Sequence, residues 1–136
     1  MDLSKILRIS AAGMKAQSAR MQVVAENMAN SNSLPDRPGA EPYRRKVMSF
    51  RSELDRQIGA NIVRVGRITT DSAPFGRRYE PGHPGAGEDG YVKTSNVKSL
   101  VEMMDMRTAQ RSYEANLSVI KVSKAMVQNA LGVLNN

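Results

Sequence analysis

The last forty-two residues, Ser95 to Asn136, contain no proline and a single glycine, Gly132, and this continuity constrains the fold more than any other feature of the chain. Bulky apolar residues recur three, four or seven apart at Met103, Met106, Tyr113, Leu117, Ile120, Val127, Leu131 and Leu134, which places them on one face of an α-helix. The spacing predicts one helix from Val97 to Leu134, roughly 57 Å long and longer than a compact domain of this size needs. Ser95 or Asn96 is placed to cap its first turn, and Ser99 followed by Glu102 has the spacing of a capping box. Val97, Val101, Met104, Thr108, Ala115, Ser118, Val122 and Ala125 form a second small or apolar face, offset from the first by roughly 170°. A helix that is non-polar on two sides requires two neighbours.

The beginning of the chain, Met1 to about Asn30, predicts a second long helix. Its stripe is Leu3, Leu7, Ser10, Met14, Gln17, Met21, Val24 and Met28, with Leu7, Met14, Met21 and Met28 at the seven-residue spacing of a coiled-coil seam. Gly13 costs a helix interior about 1 kcal/mol relative to Ala, which the close approach of another backbone would explain. Asn27, Asn30 and Asn32 read as the terminator, since Asn tolerates the left-handed conformation of a helix end. Leu34 to Pro42 reads as a loop. Short apolar groups at Val47, Met48 and Phe50, at Ile62, Val63, Val65 and Ile68, and at Phe75 and Tyr79 predict three or four strands, with Arg51 to Ile58 as a helical turn. A turn-rich stretch, Pro81 to Gly90, precedes a short strand at Tyr91 to Lys93. The expected fold is mainly α with a small β region, divided at residues 1–32, 33–94 and 95–136. The two long helices pair as an antiparallel coiled coil around the β-rich insertion.

Composition excludes most chemistry. His83 is the only histidine and cysteine is absent, so neither a thiolate or histidine-pair metal site nor a triad of nucleophile, base and orienting group can be assembled. No catalytic, cofactor-binding or metal-binding residue is expected, no cofactor, no small-molecule substrate, and no enzyme. Pro81 to Gly90 lacks the Gly-Lys-Ser/Thr end of a phosphate loop and the alternating acids of a calcium loop. The charge of +7 is dispersed along the chain and is not interleaved with stacking aromatics, so no nucleic-acid partner is expected. With only two Phe and no Trp, the core should be aliphatic and rich in methionine. No apolar run predicts a signal peptide or a membrane span. Two helices cannot bury stripes on several faces, so the missing neighbours are other molecules. A heterologous contact that repeats without closing builds a helical filament. A basic nucleic-acid-binding module and a soluble helical adaptor or export chaperone are the competing readings.

Ser10 to Ser33 and Ser95 to Asn116 resemble the terminal signatures shared by the axial proteins of the bacterial flagellum, the rod and hook subunits. Pro42-Tyr43-Arg44, Pro81-Gly82-His83-Pro84 and Gly90-Tyr91-Val92-Lys93 are similar to the proximal rod members of that family. The resemblance marks Asn27, Asn30, Tyr43, Arg44, Pro81, Gly82, His83, Pro84, Gly90, Tyr91, Asn96, Val97, Glu102, Arg111, Tyr113 and Asn116 as family positions. It implies a structural subunit of the periplasmic rod, exported by the flagellar type III apparatus without a cleaved signal. It also implies a D0-type coiled coil formed by both termini. The implied partners are further copies of the chain, other rod proteins, and the ring and export-gate proteins of the basal body.

Overall fold

The computed structural model describes residues 2–134, so Met1, Asn135 and Asn136, expected at the helix ends, lie outside the described residues. The elements are α1 (Leu3–Ala29), β1 (Lys46–Asp55), β2 (Ala60–Thr70), β3 (Gly76–Tyr79), β4 (Tyr91–Thr94) and α2 (Ser99–Leu134). Two long helices and two small two-stranded sheets, β1 with β2 and β3 with β4, make the fold mainly α with a small β part. The chain gathers into two compact units. The first comprises Met1–Met21, Ser49–Arg67 and Arg107–Asn136, and the second Gln22–Met48 and Ile68–Met106.

α1 begins and ends, and α2 begins, differently from the sequence reading. The Asp2 carboxylate accepts the Ser4 amide hydrogen and so caps α1. At the far end no Asn takes a left-handed conformation. Asn30 and Ser31 instead bond back from their side chains to the Glu26 and Met28 carbonyls. The start of α2 lies two residues later than expected, with Ser95 Oγ accepting from the Val97 amide before the helix begins. The capping box does not form, because the Glu102 carboxylate is turned to Arg45 and Asn27.

In the first unit, Arg51 to Asp55 is strand where a helical turn was expected. Asp55 explains it: its side chain accepts from Gln57 N–H and its carbonyl from Gly59 N–H, closing a turn in which Gly59 has φ +60°. An aspartate-initiated, glycine-closed turn between alternating residues makes a hairpin, and the Glu53–Arg64 ion pair at 3.8 Å ties its strands. The buried residues here are Ser10, Ala16, Ile58, Ile62, Ala109 and Ser123. Gly13 also has a partner, although it is a side chain rather than a backbone: a Cβ at this position would stand 2.9 Å from the Asn116 amide. Gly13→Ala should therefore gain less than the roughly 1 kcal/mol that helix propensity alone gives an exposed site, because the Asn116 side chain must move aside. Adding Asn116→Ala should restore that gain. Urea denaturation of the two variants beside the parent chain checks both effects.

In the second unit, β3 and β4 pair antiparallel with Tyr79 opposite Tyr91, whose rings meet edge to face at 5.2 Å. Gly90, at φ +78°, lies so close to Tyr79 that a Cβ would stand 2.8 Å from its ring, so only glycine fits the turn. Val23, Val24 and Val92 are the buried aliphatics, alongside Asn27, Ser95 and Glu102. No methionine is fully buried among the described residues. The core is built from Val, Ile, Ala and short polar side chains, while Met14, Met21, Met28 and Met106 are only half-buried.

Candidate assembly interface

The largest fully buried side chain among the described residues is a carboxylate, Glu102 in the first turn of α2. Removing a carboxylate from water is tolerated only when its oxygens are satisfied, and both are. Arg45 Nε donates to one oxygen, and Asn27 Nδ2 donates to the other at 3.1 Å. Asn27 does more than fill this bond. Its Nδ2 also donates to the Lys46 carbonyl at 2.8 Å, while its Oδ1 accepts from the Lys46 amide at 2.9 Å and from the Tyr43 hydroxyl at 2.9 Å. One side-chain amide thus pairs with the first residue of β1 as a neighbouring strand would.

Arg45 faces three carboxylates, with Asp71 at 3.4 Å and Asp105 at 3.5 Å in addition to Glu102. Its backbone N–H donates to Asn96 Oδ1 at 2.7 Å. Asn96 Nδ2 and Arg44 Nη1 both donate to the carbonyls of Asp71 and Ala73, and the Arg44 guanidinium lies 4.1 Å from the centre of the Phe75 ring. These bonds clamp the end of α1, both roots of the hairpin and the start of α2. Of the family positions, Asn27, Tyr43, Arg44, Asn96 and Glu102 meet here. Asn30 bonds only at the end of α1, and Val97 is half-buried just ahead of α2. Arg111, Tyr113 and Asn116 lie in the first unit. Pro81, Gly82, His83 and Pro84 form a turn in which His83 Nδ1 accepts from the Gly85 amide at 2.9 Å. Arg45 and Asp71 were not singled out by sequence. An arginine beside another arginine carries no local sign that one packs on a ring while the other pairs with three acids.

Titration of the clamp follows from its contacts. The Glu26 hydrogen bond raises the Lys46 amine, burial raises the Tyr43 phenol with Glu26 adding to it, and the Ala73 backbone N–H followed by Arg45 lowers the Asp71 carboxyl. Burial opposes the Arg45 charge, yet Glu102 and Asp71 more than offset it and raise the guanidinium. Lys46 and Tyr43 hold their protons more tightly folded than unfolded, so their contribution is complete below about pH 10 and lost above it. Asp71 gives up its proton more readily when folded, so its contribution is complete above about pH 4 and lost below it. Thermal melting against pH should show a plateau between these limits, and Tyr43→Phe should make the alkaline limb shallower.

The packing stripes divide. On α1, Leu3, Leu7, Met14, Met21 and Met28 are half-buried and Val24 is buried. On α2, Met106, Tyr113, Leu117, Ile120 and Val127 are half-buried, whereas Met103, Leu131 and Leu134 are exposed. The line buried deepest on α2 is Glu102, Ala109 and Ser123, with Asn116 half-buried between the last two, at seven-residue spacing. A search for bulky apolar residues passes over this row because its members are small or polar. The second α2 face is uncovered: Val101, Met104, Thr108, Ala115, Ser118, Val122 and Ala125 are all exposed, as are Leu100, Val119 and Met126 beside it. Apolar residues of this number along one helix mark an interaction surface.

The chain is 45% identical to the flagellar basal-body rod protein FlgC of Agrobacterium fabrum, with 97% of this chain and 95% of that protein aligned. The chain belongs to the FlgC family of flagellar basal-body rod proteins. The FlgC proteins of Bacillus subtilis and Salmonella typhimurium are each 37% identical to it, over 93% and 96% of this chain and 95% and 97% of their own lengths. A family model described as the C-terminal region of flagellar basal body rod FlgEFG proteins matches residues 88–133, from the turn before β4 to nearly the end of α2. As a FlgC-family member, the chain is a structural subunit of the flagellar basal-body rod and not an enzyme. The clamp therefore holds structure. Among the described residues, no cluster of acids and histidine could hold a metal, and no helix is long and apolar enough to cross a membrane.

Proposed function

We propose that the chain is a proximal-rod subunit whose α2 face, from Val101 to Ala125, is covered by neighbouring subunits when the rod assembles. The exposure of that entire face is the observation that carries this reading. Within the chain, α1 and α2 pair as an antiparallel D0-type coiled coil. Two contacts support this pairing: Asn27 bonds to Glu102 in the second unit, and Gly13 faces Asn116 in the first. The packing residues of α1, from Leu3 to Met28, and of α2, from Met106 to Val127, line that pair, and Met103, Leu131 and Leu134 turn to neighbours.

The neighbours are further copies of the chain and other rod proteins, with ring and export-gate proteins at the rod base. The subunit reaches the periplasm through the flagellar type III apparatus. Kinship to rod proteins favours this reading over nucleic-acid binding or a chaperone role. An epitope-tagged chain that restores swimming to a deletion strain should co-purify with basal bodies through detergent extraction. Restored swimming with the tag absent from those particles would contradict the reading.

A further inference from the structure

The charge that is dispersed along the sequence is sorted by the fold. The first unit holds twelve Lys and Arg against four Asp and Glu, whereas the second holds eight against nine. Within the first unit, α1 and the β1–β2 hairpin enclose an open cleft of about 340 Å³. Ala16 and Val63 are among the small apolar residues that line it, and Lys15, Arg51 and Arg64 are its cations. Glu53 is its one acid, shared by Arg51 at 3.3 Å and Arg64 at 3.8 Å, while Lys15 is exposed with no carboxylate partner among the described residues. One carboxylate among three cations leaves a positive cleft with an apolar floor, and its occupant must be acidic and slim.

We propose that this cleft receives the Gly85–Gly90 turn of a second copy of the chain, with Glu88 as the entering carboxylate. The proposal rests on the rod reading and names one contact of it. Glu88 is exposed and has no partner among the described residues, while its neighbour Asp89 is held by Arg77. The sequence Gly-Ala-Gly-Glu-Asp-Gly carries no bulky side chain that would keep the turn out of the cleft. Charge complementarity selects the partner, because the unit that carries this turn has an excess of acids and the unit that carries the cleft a large excess of bases. The two patches differ, so in a rod the contact runs head to tail, from the turn of one copy to the cleft of the next.

The photo-crosslinking residue p-benzoylphenylalanine in place of Ser18, exposed one turn along α1 from Lys15, leaves all three cleft cations intact. Irradiation of purified basal bodies should give a species containing two copies of the chain, joined to a peptide that includes residues 85–90. Glu88→Lys should lower its yield by about tenfold by turning attraction into repulsion, and Arg51→Glu combined with Glu88→Lys should recover much of it. Capture of a different rod protein would overturn the proposal, as would no capture from basal bodies that contain the chain. Both of those outcomes leave the rod reading intact. Absence of the unmodified chain from wild-type basal bodies would overturn the rod reading, and this contact with it.

Discussion

Arg45→Ala should destabilise the free protein by about 3–5 kcal/mol, the cost of leaving a buried carboxylate without its cation. Glu102 is fully buried, and Asn27 alone would remain to satisfy it. The variant also leaves Asp71 and Asp105 facing each other's surroundings without the guanidinium that joins them. Against a total stability of about 5–15 kcal/mol for an ordinary domain, that loss is a large fraction. Glu102→Gln should cost less, on the order of 1–2 kcal/mol, because the amide oxygen still accepts one bond and Arg45 keeps two carboxylates. The double variant should be more stable than the two losses added together, because the uncompensated buried charge is gone. Urea unfolding followed by circular dichroism, with the slope unchanged, measures all three. Equal losses for Arg45→Ala and Glu102→Gln would mean that the clamp is not organised around the buried charge.

Val122→Asp should abolish swimming while leaving the free protein folded. Val122 is 56% exposed, and a substitution at such a surface site normally changes stability by no more than about 0.5 kcal/mol. Covered by a neighbour, the same carboxylate would be an unpaired buried charge costing several kcal/mol at each contact. Leu117→Asp and Ile120→Asp should also stop swimming, but both positions are half-buried within the chain, so those variants confound folding with assembly. Val122→Ser, small and uncharged, should swim. Melting curves, secretion assays and motility in soft agar together separate the two effects.

The long helices were legible because proline-free stretches with three-four periodicity admit few alternatives, and α1 and α2 lie within a few residues of the expected spans. The clamp was half legible. Asn27 stood out, yet a local rule made it a helix terminator, whereas tertiary contact makes it the partner of β1, Tyr43 and Glu102. Glu102 suited a capping box until Arg45, fifty-seven residues away, competed for its carboxylate. Such pairings depend on which distant segments meet, and no spacing within one segment encodes that. The hairpin departs from the expected helical turn for a related reason: Arg51 to Asp55 holds a single apolar residue, Leu54, so hydrophobic alternation is weak, and cross-strand bonding from Glu53 to Arg64 supplies what the pattern lacks. The row Glu102, Ala109, Asn116 and Ser123 has a perfectly regular period, but its residues are small or polar and so leave no hydrophobic stripe in the sequence.

The coverage of the second α2 face on assembly is tested most directly by reactivity at Val122. The chain has no cysteine, so Val122→Cys introduces a single thiol of nearly the same size. Maleimide labelling should be rapid and complete in the free protein, where this position is exposed. In intact purified basal bodies the same thiol should be protected by at least about tenfold, and it should regain full reactivity when the particles are dissociated in acid and the subunits returned to neutral pH. Equal labelling of free protein and intact rods, with the variant present in the particles and swimming normal, would show that this face stays open to solvent and that the rod is held together elsewhere.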